Sequence, residues 1–83
     1  MKGSDIKVGM VLLKKHGPSV VEVIRASGVP GSTYVKAIYY RGALGHWRVA
    51  TGGGHLASNR DLTTIADARL AEIRTAATRR RKP

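Results

Sequence analysis

The chain has no cysteine, few acidic residues and no long apolar run. Without cysteine there is neither a disulfide nor a thiolate metal site, which suits a reducing compartment such as the cytoplasm. No apolar stretch approaches the roughly 20 residues that a membrane helix requires. The apolar run nearest the N-terminus, Val8 to Leu13 broken by Gly9, is too short for a signal peptide, so neither export nor a membrane partner is expected. Its three histidines, His16, His46 and His55, lack metal-ligand spacing and have no paired carboxylates beside them, so no metal is expected. No Ser-His-Asp arrangement emerges from the spacing, and no catalytic residue or cofactor is assigned.

What the chain does have is positive charge. Fifteen Lys and Arg stand against five Asp and Glu, a formal charge of +10, and the isoelectric point is near 11.0. The excess is not confined to a tail. Residues 1–25 carry five basic and two acidic side chains, 26–60 carry four and none, and 61–83 carry six and three. The folded part should therefore itself present a positive surface, the electrostatic footprint of a phosphate-binding protein. At 42% hydrophobic the chain is too apolar for a disordered polycation. Its 83 residues make one small domain, burying roughly 60% of its unfolded surface and leaving little room for a deep substrate cavity.

Short β-rich runs separated by Gly and Pro predict a mainly β fold, a small five-stranded barrel with a C-terminal α-helix. The expected strands are Val8–Lys15, Val20–Arg25, Tyr34–Arg41, His46–Thr51 and a short one around His55–Ala57. His16-Gly17-Pro18-Ser19 breaks the first two, and Gly28, Pro30 and Gly31 mark a loop before the third. Gly52-Gly53-Gly54 reads as a hinge, since a phosphate loop also needs a lysine and a hydroxyl opening a helix. From Thr64 the period changes: Ala66, Leu70, Ile73 and Ala77 fall on one helical face, and Thr64 with Asp67 resembles a weak capping box. The organisation expected is a barrel over 1–63, a helix of the same domain over 64–78 and a basic tail over 79–83.

Val8-Gly9-Met10-Val11, then Gly17-Pro18-Ser19-Val20-Val21-Glu22-Val23, then Gly31 leading into Tyr34-Val35-Lys36 resemble the small SH3-like barrels of translation and transcription proteins. The order is similar to the KOW-type N-terminal domain of elongation factor P and to stand-alone bacterial SH3-like proteins, over residues 6–62. In elongation factor P a basic residue usually tips the loop before strand three. Here Val29-Pro30-Gly31-Ser32-Thr33 has none, which argues against the same task at the ribosome. Leu12-Leu13-Lys14-Lys15-His16-Gly17 and Gly31-Ser32-Thr33 also resemble the small HicA-type RNA-cleaving toxins. Those have a helix in place of strand one, and a histidine after the Gly-Ser where this chain has Thr33.

Strict alternation along strands three and four puts Tyr34, Lys36, Tyr40, His46 and Arg48 on one outer face, if Val35 and Val49 face the core. Aromatics interleaved with cations form a stacking platform for single-stranded nucleic acid. Arg79, Arg80, Arg81 and Lys82 would add an electrostatic arm without sequence preference. These nine residues are the expected nucleic-acid-binding set, and the expected function is non-catalytic binding of RNA, DNA or a ribonucleoprotein. Two alternatives stay open. One is an adaptor or inhibitor docking on an acidic protein. The other is a small RNA-cleaving toxin using a histidine in acid–base chemistry.

Overall fold

A computed structural model describes residues 1–79; Arg80, Arg81 and Lys82 of the expected arm lie outside the described residues. After a 3-10 turn at Gly3–Asp5 come β1 (Val11–Lys14), β2 (Ser19–Ala26), β3 (Ser32–Arg41), β4 (Trp47–Val49) and β5 (Gly54–Ser58). A second 3-10 turn, Asn59–Asp61, leads into β6 (Leu62–Thr63), and α1 (Asp67–Thr78) closes the described chain. The protein is mainly β: the described residues form one open antiparallel sheet of six strands in the order β4-β3-β2-β1-β6, with β5 also on β3, and one α-helix. Among the described residues no ladder joins β6 back to β4 or β5.

Several expected boundaries move, each for a local reason. The first strand begins at Val11 rather than Val8, because Gly9 at φ +92° makes a turn and Met10 N–H donates to Lys7 O. Past the 3-10 turn that ends at Asp5, nothing helical runs through the segment to Lys15 that the toxin resemblance would make a helix. The fourth strand is trimmed to Trp47–Val49, since His46 O accepts from Gly42 N–H and so belongs to the hairpin turn. The sixth strand, Leu62–Thr63, pairs only with Leu13 and Lys14, and two residues are too few to show a period of two. The helix starts at Asp67 behind Ala66, with no side-chain cap, so the Thr64–Asp67 capping box is not formed.

β3 organises the sheet. β2 lies along one of its edges, and the other edge is shared end to end: β5 pairs Ser32–Lys36 and β4 pairs Tyr39–Arg41. Two β-bulges interrupt the β2–β3 ladder. Val23 opposes Val35 and Arg25 opposes Tyr34, so Ile24 is the extra residue on β2. Val21 opposes Ala37 and Val20 opposes Tyr39, so Ile38 is the extra residue on β3. Each bulge shifts the in–out phase of its strand by one residue.

The consequence is a sheet with a core on each side. Leu12, Val21, Val23, Val35, Ala57 and Leu62 form one buried cluster, with Met1, Ile6, Met10 and Ala37 packed against it. Val20, Tyr39, Ile73 and Ala77 form the other, backed by Val11, Leu13, Trp47 and Leu70. Adjacent Val20 and Val21 are both fully buried because each faces a different core. α1 covers the second face through the expected Leu70, Ile73 and Ala77 stripe, while Ala66 is spent as the exposed N-cap.

Candidate nucleic-acid interface

The helix covers its face of the sheet only over the half around Val20 and Tyr39. The rest of that face follows from register: Glu22 opposes Lys36, Arg25 opposes Tyr34, and Tyr34 and Lys36 oppose Leu56 and Gly54 on β5. Directly opposed residues in a ladder share a face. Arg25, Tyr34, Lys36 and Leu56 therefore stand together, and all but half-buried Tyr34 are exposed.

Tyr34 is held from two sides. Its ring lies against Gly54, where an added methyl would come within 2.4 Å of Cε2, so only glycine admits the ring in this pose. The Arg25 guanidinium carbon sits 4.2 Å from the ring centroid, within the range of a cation–π contact. The exposed group of this pair is thus the Arg25 guanidinium rather than a free tyrosine ring. Toward the helix the same face continues to Tyr39, whose hydroxyl accepts from Arg74 Nε at 3.3 Å. Arg74 itself is exposed on α1. Arg25, Lys36 and Arg74 form no ion pair among the described residues, although Glu22 lies across from Lys36.

The other expected platform residues are elsewhere. The Ile38 bulge turns Tyr40 over: it opposes Ser19 and Arg48, on the face that carries Leu12 and Val21. Tyr40 and Arg48 are therefore together, but on the opposite side of the sheet from Tyr34 and Lys36. His46 is exposed in the β3–β4 turn, and Arg48 leans along that turn, its Nε near the position a Gly42 methyl would take. Val49, taken as a core residue in the alternation, is half exposed and opposes Tyr39 on the helix side. Arg79, the first residue of the expected arm, is exposed just past the helix.

Sequence alternation missed Arg25 and Arg74. A plain period of two groups Arg25 with buried Val21 and Val23, and only the Ile24 bulge brings it out. Arg74 directly follows Ile73 of the apolar stripe, so it flanks the helix face that meets the sheet, a signal available from the helical spacing.

One further polar cluster lies at the β1–β2 turn. His16 N–H donates to Asp61 Oδ1 at 3.0 Å, the His16 ring Nδ1 is 2.5 Å from the same oxygen, and Lys14 Nζ is 3.5 Å from Oδ2. Burial alone would raise the Asp61 pKa, but the His16 hydrogen bonds and the His16 and Lys14 charges outweigh it, and the net shift is downward. The cluster ties the turn to the second 3-10 turn.

No group of three or more His, Asp or Glu among the described residues is placed to hold a metal, and no described helix is long and apolar enough to cross a membrane. No family model, curated protein or solved structure matches the chain.

Proposed function

We propose that the chain is a nucleic-acid-binding protein whose contact face is the uncovered half of the helix-side sheet surface. The observation that carries this reading is the Arg25–Tyr34 pair on one sheet face with Lys36 and, farther along β3 at Tyr39, Arg74, none of these cations ion-paired among the described residues. It stands in a chain with no acidic residue between Glu22 and Asp61. A base stacks on the outward plane of the Arg25 guanidinium, which Tyr34 backs and Gly54 allows. Guanidinium planes serve as stacking surfaces for unpaired bases just as aromatic rings do. Lys36 and, farther along β3 in the same direction, Arg74 beside Tyr39 hold successive phosphates of the strand leading away from that base, and Arg79 with the basic residues beyond it adds sequence-independent attraction. Unpaired bases suit this arrangement better than a duplex, because a duplex hides the base faces.

The scaffold is proposed to be an SH3-like barrel. A 3-10 turn leading into a short last strand against β1, at the far edge of a β1–β2–β3 meander, supports that reading. A cysteine-free, strongly basic chain of this kind fits the cytoplasm. The test is a binding titration of labelled single-stranded RNA and DNA at several salt concentrations. Affinity should fall steeply with salt, by about 0.7 log units per log unit for each phosphate contact on a single strand. Salt-independent binding, or no binding beside a tight acidic protein partner from a pull-down, would sink the reading.

A further inference from the structure

Both turns at the far end of the sheet are basic, and one of them carries an apolar tip. The β3–β4 turn runs Gly42-Ala43-Leu44-Gly45-His46, and Leu44 at 82% is the most exposed of the large apolar side chains. A single exposed leucine is ordinary in itself. What sets this one apart is its mounting. Gly42 N–H donates to His46 O at 2.8 Å, Gly45 N–H to Gly42 O at 2.9 Å, and Arg41 Nε to Gly45 O at 3.2 Å. Gly45 takes φ +84°, which an L-residue rarely adopts, so the turn closes in one shape. At the root of the hairpin, Trp47 packs into the core formed by Val20, Tyr39 and Ile73. Arg41 N–H also donates to Pro18 O at 3.0 Å, bracing the hairpin against the β1–β2 turn. The leucine is therefore presented at the end of a stiff arm rather than on a loose loop.

Charge says what the arm meets. Arg41 and Arg48 flank the turn and His46 lies within it, all three exposed, with no acidic side chain in the hairpin. An apolar protein pocket gains nothing from that collar, whereas a nucleic acid presents phosphates around an apolar base stack. We propose that Leu44 is a wedge that inserts between two stacked bases, with Arg41 and Arg48 on the flanking phosphates. Apolar side chains at the tips of basic elements unstack base steps in this way. The proposal rests on the nucleic-acid reading above and adds a second contact to it. This contact is separate from the Arg25–Tyr34 face, and its ligand is a stacked step rather than an unpaired base.

The experiment uses the full chain and two probes, an RNA hairpin and a DNA duplex. Each carries a fluorescent adenine analogue whose emission is quenched by stacking. Saturating wild-type protein should raise the emission of at least one probe. Leu44→Ala, at an exposed site where the fold is not at stake, should still bind with the same salt slope but lose the rise. Binding by the wild type with no rise, or an undiminished rise with Leu44→Ala, overturns the wedge and leaves the proposed function standing. No binding to any nucleic acid at low salt overturns both.

Discussion

The two halves of β3 on the helix side show how one surface can be put to two uses. At the C-terminal half Tyr39 is buried against Val20 and Ile73, and its hydroxyl is satisfied by Arg74. At the N-terminal half Tyr34 occupies the same face, five residues earlier in sequence, but its partners are Gly54 and Arg25 and its surroundings are open. Both tyrosines contact an arginine. Only at Tyr34 does the guanidinium sit over the ring, and there no helix covers it. Cover by α1, rather than residue type, separates the structural tyrosine from the candidate contact.

Removing the cover tests the comparison most severely. Ile73 is 1% exposed and is the largest helix side chain in that core. Ile73→Ala should cost about 2–5 kcal/mol, as other large-to-small core substitutions do, read as a lower urea midpoint. A loss well under 1 kcal/mol would mean that α1 does not share the cooperative unit, and Tyr39 would then be as available as Tyr34.

On the open half the effects should appear in binding instead. Arg25→Ala should weaken single-strand affinity by about 1–3 kcal/mol, the scale of one lost stack. It should leave the unfolding midpoint almost unchanged, because Arg25 is exposed. Arg25→Lys retains the charge and should therefore keep the salt slope while losing much of the affinity. If Lys restores affinity fully, Arg25 acts as a point charge and the stacking role is wrong.

Gly54→Ala sharpens the same point with a smaller effect. Replacing a strand glycine by alanine ordinarily stabilises by roughly 0.5–1 kcal/mol through lost unfolded-state freedom. Here the methyl meets the Tyr34 ring at 2.4 Å, so the ring must swing away from its seat and from Arg25. The expected sign is therefore reversed, a destabilisation of about 1 kcal/mol, with a visible change in near-ultraviolet dichroism. A stabilised variant with an unchanged spectrum would show that the ring has no fixed seat.

Much of this architecture was legible in the residues, and the gaps have one main cause. Gly-rich breaks and β-branched runs give the mainly β class, and the spacing of Leu70, Ile73 and Ala77 gives the helix and its buried stripe. The platform of Tyr34, Lys36, Tyr40, His46 and Arg48 assumed unbroken alternation. Bulges at Ile24 and Ile38 depend on how two strands pair, which neither strand encodes alone, and each inverts every face beyond it. Hence Tyr34 with Lys36 survived as a pair, Tyr40 with Arg48 survived as a pair, and the two pairs separated. The second core was hidden for the same reason: Val20 and Val21 read as one apolar run, although each serves a different side.

The smallest expected effect concerns the β1–β2 turn, away from both halves of β3. Asp61 is 13% exposed at its side chain and accepts from His16 twice while Lys14 stands nearby. Its pKa is lowered on folding from an ordinary value of 3.8. A carboxylate with a depressed folded pKa adds stability above its unfolded pKa, and that contribution is lost as pH falls through the folded value. Wild type should therefore be more stable than Asp61→Asn at neutral pH, and the gap should close as pH falls below about 4, where the unfolded carboxylate protonates. Once protonated, Asp61 is nearly isosteric with asparagine and the two proteins should converge. Urea unfolding at neutral pH and at stepped acid pH measures the gap directly. A gap that stays constant into acid would mean that asparagine merely packs badly and that the carboxylate charge contributes nothing. In a His16→Ala background the ring hydrogen bond is gone, leaving only the backbone N–H and Lys14. The neutral-pH gap should then be smaller but of the same sign.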